Sequence, residues 1–363
     1  MPVSSAEGAP RAAPPTPLAA AAGKRLTLLD VAQALGVSRT SVSNAFSRPD
    51  RISPVLRERI ISESRALGYF GPDPAARAMR RGGVHEVAVI FHHDLHFALH
   101  DPPSIEFLRG VAKVLDARGV SLQLVPYMGR RVDLAAAFQT TADALIVHAE
   151  VDPDIAPEVQ AMRKPIVLVD AYVSGVTSVG NRDREGATAA MAHALAARPD
   201  RILLLSFPVD PQAWARVQSD PASAASLPRL PYVPSERMAG YVAAAHRAGF
   251  PLERLIWIEL DDSHPEAAAE RVAEIRADLP PGCRLAVVAM SDRMALAARP
   301  VLESWPEVQV VAQVGFDDIE AAAAAGLTTV RQDARLKGER AAEALLDSTQ
   351  PELLPVELVL RRT

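Results

Sequence analysis

Cysteine is almost absent from this chain: Cys283 is the only one among 363 residues. A single thiol cannot form an internal disulfide, and no group of cysteines and histidines has the spacing of a zinc finger. The sequence therefore disfavours a disulfide-stapled secreted module and a structural zinc site. We expect a cytoplasmic protein, since a reducing compartment suits such a composition.

Long apolar runs are missing as well. The short apolar patch from Leu18 to Ala22 is smaller than the roughly 7–15 residues of a signal-peptide core. No run of about 18 or more apolar residues occurs anywhere, so neither export nor a membrane span is predicted. Residues 1–23, which are rich in alanine and proline, are predicted to be a disordered tail.

The motifs of common cofactor sites and of one class of hydrolase are also missing. No GxGxxG follows the first predicted strand, and the sequence contains neither GxxxxGK[ST] nor the GxSxG of a nucleophile elbow. Dinucleotide, nucleoside-triphosphate and hydrolase sites therefore find no support, and no cofactor is predicted. This favours a binding protein over an enzyme.

Charge is distributed unevenly. The net charge is −5, but residues 24–83 carry eleven basic and five acidic side chains, whereas residues 84–363 carry a net charge of −11. A basic module followed by an acidic body is typical of a nucleic-acid reader joined to a domain that does not touch nucleic acid.

The basic module begins with two short helical patterns separated by a glycine. Thr27 and Asp30 can cap a first helix, which Gly36 ends. Ser38 can cap a second helix with Val42 on its inner side. A third helix is predicted to start with Ser53 as its cap. Two short helices joined by a tight turn match a helix-turn-helix.

The second helix carries polar residues on its outer side, and such a helix enters the major groove of DNA. Arg39 can fork to guanine, Asn44 can pair with adenine, and Thr40 can contact a base edge or a thymine methyl. The alternative is that these residues are merely the solvent-facing side of a small helical bundle. The stretch 72–83 is too short for a stable isolated helix, so we expect it to order only against DNA or a second copy.

The segment from Thr27 to Met79 resembles the DNA-binding head and hinge of the LacI/GalR family of bacterial transcriptional regulators. The motifs DVA, GVS, VS, RxR[IV], LGY and P[ND]xxARx[LM] occur in order and in register. The resemblance implies that Arg39, Thr40 and Asn44 read bases. It also places a set of hydroxyl side chains near phosphates: Thr27, Ser38, Ser43 and Ser53.

Met79 matches the position of the family's apolar wedge, which enters the central base step of the minor groove. Most members have Leu there and Arg at the position of Asn44, so wedge chemistry is expected to persist while the operator sequence is not transferable. The alternative for Met79 is an ordinary core contact.

From residue 84 onward, apolar strand patterns alternate with helical ones, apart from a Pro/Ala/Ser-rich loop predicted over 208–234. This alternation predicts parallel sheets covered by helices on both faces, with a ligand at the carboxyl ends of the strands. The family resemblance continues through four segments: VAMSDRMA (288–295), VGFDD (314–318), LTTVRQ (327–332) and LPVELVLRRT (354–363).

The expected architecture is a small all-α helix-turn-helix head plus an α/β body, a periplasmic-binding-protein-like pair of doubly wound parallel-sheet lobes. The predicted domains are a tail (1–23), a head (24–71), a hinge helix or linker (72–83) and an effector-binding and dimerisation domain (84–363). The resemblance implies a homodimer without an added tetramerisation helix.

The resemblance also implies an effector site. Asp292 matches an acceptor of sugar hydroxyls, Arg237 an arginine that reaches the ligand from the opposite lobe, and Asp170 an acid at the pocket rim. Carboxylates and a forked arginine can together hold neighbouring hydroxyls. The alternatives are that Asp292 is a helix N-terminal acid and that Asp170 forms an interlobe salt bridge.

A histidine-rich loop, HHDLHFALH, follows the first strand. Its imidazoles would align for a metal only in a helix, and the segment shows no helical continuity, so no metal site is predicted. We expect one or two of these histidines to line the effector pocket with Phe97, which can stack on a sugar, and Asp101. The histidines are His92, His93, His96 and His100.

The sequence thus predicts a cytoplasmic transcriptional repressor that binds a pseudo-palindromic operator as a homodimer. A small effector, a sugar or a related polar metabolite, would change the lobe angle and so the order of the hinge. Two alternatives belong to other classes. A solute-binding protein for transport would need an export signal, and an enzyme of sugar metabolism with a fused head would need catalytic groups.

Overall fold

The structure, a computed structural model, describes most of the chain: residues 26–48, 51–67, 69, 83–91, 94–126, 140–149, 151, 164–209, 214–215, 219–226, 233–260 and 267–363. The predicted tail, the predicted hinge up to residue 82 with Met79, and His92 and His93 lie outside these ranges. The chain divides into two units between Gly82 and Gly83.

The described part of the first unit is helical, with α1 (Leu28–Ala34), α2 (Arg39–Ser47) and α3 (Pro54–Ala66). Thr27, Ser38 and Ser53 cap these helices as predicted, each accepting a hydrogen bond from a backbone N–H three residues later. Asp30 completes a capping box with Thr27. Gly36 adopts φ +63° in the turn between α1 and α2.

The three helices share one small core, formed by Val31, Ala32, Val42, Ala45, Ile60 and Tyr69. Phe46 packs edge-on against Tyr69 with ring centroids 5.6 Å apart. The predicted helix-turn-helix unit is therefore confirmed.

The second unit alternates strands with helices. Its helices are α4 (Leu95–Ala98), α5 (Pro102–Arg118), α6 (Asp183–Ala196), α7 (Val233–Arg247), α8 (Ala267–Glu274), α9 (Asp292–Glu303), α10 (Glu320–Ala324) and α11 (Ala334–Asp347). Its strands are β1 (Glu86–Phe91), β2 (Ser121–Pro126), β3 (Ala144–His148), β4 (Ile166–Val169), β5 (Ser178–Val179), β6 (Arg201–Ser206), β7 (Leu255–Glu259), β8 (Arg284–Ala289), β9 (Gln309–Asp317), β10 (Thr328–Arg331) and β11 (Glu357–Val359).

The first lobe is a parallel sheet in the order β2-β1-β3-β4-β5. Its inner strands are continuous buried apolar runs, as a sheet covered on both faces requires. The helices α5 and α11 pack together on one face and approach each other closely. A Cβ at Gly110 would lie 2.0 Å from the carbonyl oxygen of Arg335, and one at Gly338 would lie 2.1 Å from that of Phe107.

The second lobe is a sheet in the order β11-β10-β9-β8-β6-β7, parallel except for β11. Apolar side chains of α6 and α7 form the core on one face, and those of α8, α9 and α10 form the core on the other. The predicted pair of doubly wound lobes is confirmed. The loop predicted over 208–234 contains a 3₁₀ helix, Pro221–Ser226, whose Ala224 is buried in the core of the lobe.

The chain crosses between the lobes after β5, after β10 and after α11. The first and last of these crossovers are joined by backbone hydrogen bonds, from Arg182 N to Leu354 O and from Leu354 N to Gly180 O, both 2.9 Å long. Within the described residues, no helix has the length and apolarity that a membrane crossing requires.

Candidate functional site

The outer side of α2 is the candidate DNA-contacting surface. Val42 and Ala45 are buried in the three-helix core and so determine which side faces outward. The side chain of Ser38 caps the helix by accepting from Ser41 N at 3.0 Å. The polar residues predicted to contact DNA are exposed (Thr27, Ser38, Arg39, Thr40 and Ser53) or half-buried (Ser43 and Asn44). This exposure is what a recognition helix and its flanking phosphate contacts require.

In the second unit, Asp170 lies directly after β4 and forms a buried ion pair. Its carboxylate accepts hydrogen bonds from Lys337 Nζ at 2.7 and 2.9 Å and lies 3.2 Å from His148 Nε2. Burial alone would raise the pKa of Asp170, but the charge of Lys337 and the hydrogen bond from His148 outweigh it, so the pKa lies below its ordinary value.

The alternative that Asp170 forms an interlobe salt bridge is wrong. Lys337 lies on α11, which packs against α5 and against the strands β3 and β4 of the first lobe. Both partners therefore belong to the lobe that carries Asp170. Lys337 is only 4% exposed, because the helix that carries it is pressed against the sheet.

Gln332 connects this ion pair to the second lobe. Its Oε1 accepts hydrogen bonds from Lys337 Nζ at 3.0 Å and from Asn181 Nδ2, and its Nε2 donates to Asp317 Oδ1 at 2.6 Å. Asn181 lies in the first crossover, Gln332 in the second, and Asp317 at the end of β9. A single hydrogen-bonded network thus spans both lobes at the point where the chain crosses between them.

Asp317 combines an unusual backbone with an unusual charge environment. Its φ is +114°, a conformation that residues with a side chain rarely adopt. Burial raises the pKa of Asp317 well above its ordinary value, although the charge of Arg237 opposes this shift. A strained acidic residue at the carboxyl end of a parallel strand is typical of a ligand site.

Arg237 lies on α7 and is held inside the second lobe. Its Nε donates to Asp183 Oδ1 at 2.8 Å, its Nη1 donates to Met290 O at 2.5 Å, and its guanidinium lies 3.6 Å from the centroid of the Phe316 ring. Burial raises the pKa of Asp183, although the charge of Arg237 opposes this shift. The expectation that Arg237 reaches across from the lobe opposite Asp292 is wrong, because α7 and α9 flank the same sheet.

Asp292 is fully buried at the first turn of α9. One carboxylate oxygen accepts from Thr329 Oγ1 at 2.5 Å and the other accepts from Ile319 N at 3.0 Å. A Cβ at Gly315 would lie 2.1 Å from Asp292 Oδ1, so the carboxylate is pressed against β9. The expected role as a direct acceptor of sugar hydroxyls stays a prediction, since each carboxylate oxygen can accept a further hydrogen bond. In the described structure Asp292 holds α9, β10 and the segment after β9 together.

Arg293 makes a further contact between the lobes. It extends from α9 of the second lobe, and its Nη1 lies 3.4 Å from Asp101 Oδ1 in the first lobe. Its guanidinium also lies 5.2 Å from the centroid of the Phe97 ring. Asp101 caps α5 through Ser104, whose N and Oγ donate to its other oxygen. Phe97 and Asp101 of the first lobe therefore both lie next to Arg293 of the second lobe, and their role as effector contacts stays a prediction.

The histidine-rich loop differs from its prediction. Residues 95–98 form the helix α4, capped by Asp94, so the expectation of no helical continuity is wrong. His96 and His100 lie with ring centroids 4.4 Å apart, and His100 Nδ1 lies 2.7 Å from the carbonyl oxygen of His96. In the described part of the chain, no three side chains of His, Cys, Asp or Glu are placed to hold a metal ion.

Several residues of the network were missed by sequence reasoning. Asp317 and Gln332 follow strands in the VGFDD and LTTVRQ segments, and their place at the carboxyl ends of parallel strands could have identified them. His148, at the carboxyl end of β3, carries the same signal, whereas Lys337, Asn181 and Asp183 do not. The partner of Lys337 is 167 positions away in the sequence, so only the fold brings the two together.

A helix-turn-helix unit followed in the chain by a two-lobed α/β unit is the architecture of a transcriptional regulator with a periplasmic-binding-protein-like body. The family model for the periplasmic binding protein-like domain matches residues 223–363. The HTH-type transcriptional regulator Rv3575c of Mycobacterium tuberculosis is 32% identical over 355 residues, which cover 94% of this chain and 97% of that protein.

Solved structures agree with this classification. A LacI-family regulator from Corynebacterium glutamicum is 25% identical with a TM-score of 0.62, covering 93% of this chain and 98% of its own. The lac repressor dimer bound to operator and an anti-inducer has a TM-score of 0.65 at 22% identity, and the match covers 93% of this chain and 98% of the repressor chain. The two chains therefore share a fold. The chain belongs to the LacI family of transcriptional regulators.

Proposed function

We propose that the protein is a repressor that binds a pseudo-palindromic operator as a homodimer, under the control of a small polar effector. One observation carries the proposal: α2 is held by a buried core so that Arg39, Thr40 and Asn44 face outward on a helix-turn-helix. A dimer would place two such helices about one helical turn of DNA apart. Its place of action would be the bacterial cytoplasm, and no catalytic step is proposed.

The network between the lobes supports effector control. Carboxylates and a forked guanidinium are suited to the hydroxyls of a sugar or a related polar metabolite. We propose Asp170, Arg237, Phe97 and Asp101 as effector contacts and add Asp317, with Asp292 acting from behind as a support. Closure of the lobes on the effector would alter the separation of the two hinge segments and so the order of the hinge, including the wedge residue Met79.

The test selects double-stranded DNA from a random pool with the purified full-length protein. Operator affinity is then measured by fluorescence anisotropy in the presence of a library of sugars, polyols and nucleosides. Enrichment of a palindrome whose occupancy is shifted by one compound is the expected result. At low salt, electrostatic attraction alone should already hold the DNA. Failure to enrich any sequence under that condition would reject sequence-specific DNA binding.

A further inference from the structure

The positive charges of the effector network all have carboxylate partners within the described residues. Lys337 lies 2.7 Å from Asp170, Arg237 lies 2.8 Å from Asp183, and Arg293 lies 3.4 Å from Asp101. Asp292 and Asp317 add two more acids to the same network. Acids therefore outnumber cations, and the two fully buried cations have their charge already engaged by the protein.

Lys337 also determines which way two amides of the network point. An ammonium group can only donate hydrogen bonds, so the carbonyl oxygen of Gln332 must face it. The amide nitrogen of Gln332 then faces Asp317, and Asn181 must use its own nitrogen to reach Gln332. The carbonyl oxygen of Asn181 remains as an acceptor that is buried and has no hydrogen-bond partner among the described residues.

A second buried polar atom without a partner lies on α7. The hydroxyl of Tyr241, one helical turn after Arg237, is fully buried and makes no hydrogen bond in the described structure. Burial raises the pKa of Tyr241, so this hydroxyl stays protonated. An unsatisfied buried polar atom costs free energy, which a bound hydroxyl compound would recover.

An anionic oxygen can accept a hydrogen bond from the hydroxyl of Tyr241, but it cannot satisfy the carbonyl oxygen of Asn181. The carbonyl oxygen of Asn181 needs a hydrogen-bond donor, which a hydroxyl supplies and an ionised phosphate or carboxylate oxygen does not. The same anion would also find the three cations of the network already paired with carboxylates.

We propose that this network selects an uncharged, hydroxyl-rich effector and rejects phosphorylated or carboxylated forms of the same compound, with Lys337 as the specificity-determining residue. This proposal rests on the proposed effector control. Lys337 acts twice, by occupying Asp170 and by orienting Gln332 and Asn181 so that an acceptor is left for the ligand.

The first test measures binding of matched compounds to the full-length protein by thermal shift and calorimetry. Each sugar, polyol or nucleoside is offered uncharged and as its phosphate or carboxylate. The uncharged member should bind at least about a hundredfold more tightly, since like charges in a buried site cost several kcal/mol. Equal or tighter binding of the anionic member would overturn the proposal. If no compound binds or shifts operator occupancy, effector control itself fails.

The second test uses inorganic phosphate as the probe and needs no knowledge of the effector. The wild type should show no saturable binding in calorimetry. Asp170→Asn leaves the ammonium of Lys337 without its carboxylate, so this variant should bind phosphate at least about tenfold more tightly than the wild type. The double variant Asp170→Asn with Lys337→Met should lose that gain, because the cation is gone.

Circular dichroism and the thermal midpoint establish that these variants are folded. A folded Asp170→Asn protein without phosphate binding would overturn the role of Lys337. Saturable phosphate binding by the wild type that is lost in Lys337→Met would show that Lys337 is itself an anion site, and would overturn the proposal as a whole.

Discussion

Asp292 is buried without a cation partner in direct contact, and its protonation should be visible in the stability of the protein. Burial raises the pKa of Asp292 from 3.8 to about 6, against the opposing hydrogen bonds from Thr329 and Ile319. Because the folded state holds this proton more tightly than the unfolded state, the stabilisation is complete below about pH 4 and is lost as the pH rises to about 6. The loss is on the order of 3 kcal/mol.

Asp292→Asn should remove this dependence, because an amide can accept from Ile319 N and donate to Thr329 without titrating. Its free energy of unfolding should therefore increase relative to the wild type by that order between pH 4 and pH 7, as measured by urea denaturation at each pH. Asp347→Asn is the control. Arg118 lowers the pKa of this exposed acid, so the folded state favours its charged form. This substitution should therefore lower the free energy of unfolding at pH 7 relative to the wild type, where Asp292→Asn raises it. If the free energies of unfolding of Asp292→Asn and of the wild type changed with pH in the same way, the raised pKa of Asp292 would be contradicted.

Substitutions at two residues of α2 should distinguish base reading from phosphate contact. Arg39→Ala should weaken operator binding by about 1–3 kcal/mol and relax the preference at one base position, because a forked guanidinium discriminates guanine. Ser43→Ala should weaken binding to all sequences alike. Gel shifts against single-base operator variants measure both effects. Unchanged affinity and unchanged base preference for Arg39→Ala would reject the placement of α2 in the major groove.

At the scale of elements, the contact between α5 and α11 depends on two glycines. Gly338→Ala would place a methyl group 2.1 Å from the carbonyl oxygen of Phe107, so the helices must separate. The expected loss of stability is about 1–3 kcal/mol, larger than the roughly 1 kcal/mol that alanine gains over glycine in a helix. Arg340→Ala, at an exposed position of the same helix, is the control and should change stability by no more than about 0.5 kcal/mol. Equal thermal midpoints for the two variants would contradict close packing.

Local chemistry explains which elements the sequence could predict. Thr27, Ser38 and Ser53 cap helices through hydrogen bonds to residues three positions away, so a short stretch of sequence contains the whole interaction. The buried strands of both sheets are continuous apolar runs and are equally local. The helix α4 escaped prediction because it is a single turn, and its signal is confined to Asp94 and the residues just after it.

The site was less predictable because its geometry is set by contacts far apart in the chain. The resemblance identified Asp292 and Arg237, but only the fold shows that both oxygens of Asp292 are used and that Arg237 pairs with Asp183 in the same lobe. The lysine that engages Asp170 could not be identified from the sequence at all, since burial of a charge depends on packing that no short pattern encodes.

At the scale of the whole second unit, the two lobes are joined by three chain crossovers and by side-chain contacts. The first and last crossovers share backbone hydrogen bonds around Leu354, which restrain the chain where it passes between the lobes. The contacts of Arg293 with Asp101 and Phe97 also join the lobes. Lobes joined by crossovers and a few partly exposed side-chain contacts are suited to an equilibrium between open and closed forms.

Removing the contacts of Arg293 with Asp101 and Phe97 should therefore shift the lobes toward the open form. A half-exposed ion pair and a cation–π contact together contribute about 1–1.5 kcal/mol, so Arg293→Ala should raise the open-to-closed ratio by about five- to tenfold. Spin labels on cysteines introduced at Asp116 and Glu303, one exposed position in each lobe, report the distance by pulsed electron resonance, and the buried Cys283 should not compete for label. Arg271→Ala removes an exposed ion pair within the second lobe and should leave the distances unchanged. An Arg293→Ala distribution that matches the wild type would show that the crossovers alone hold the lobes.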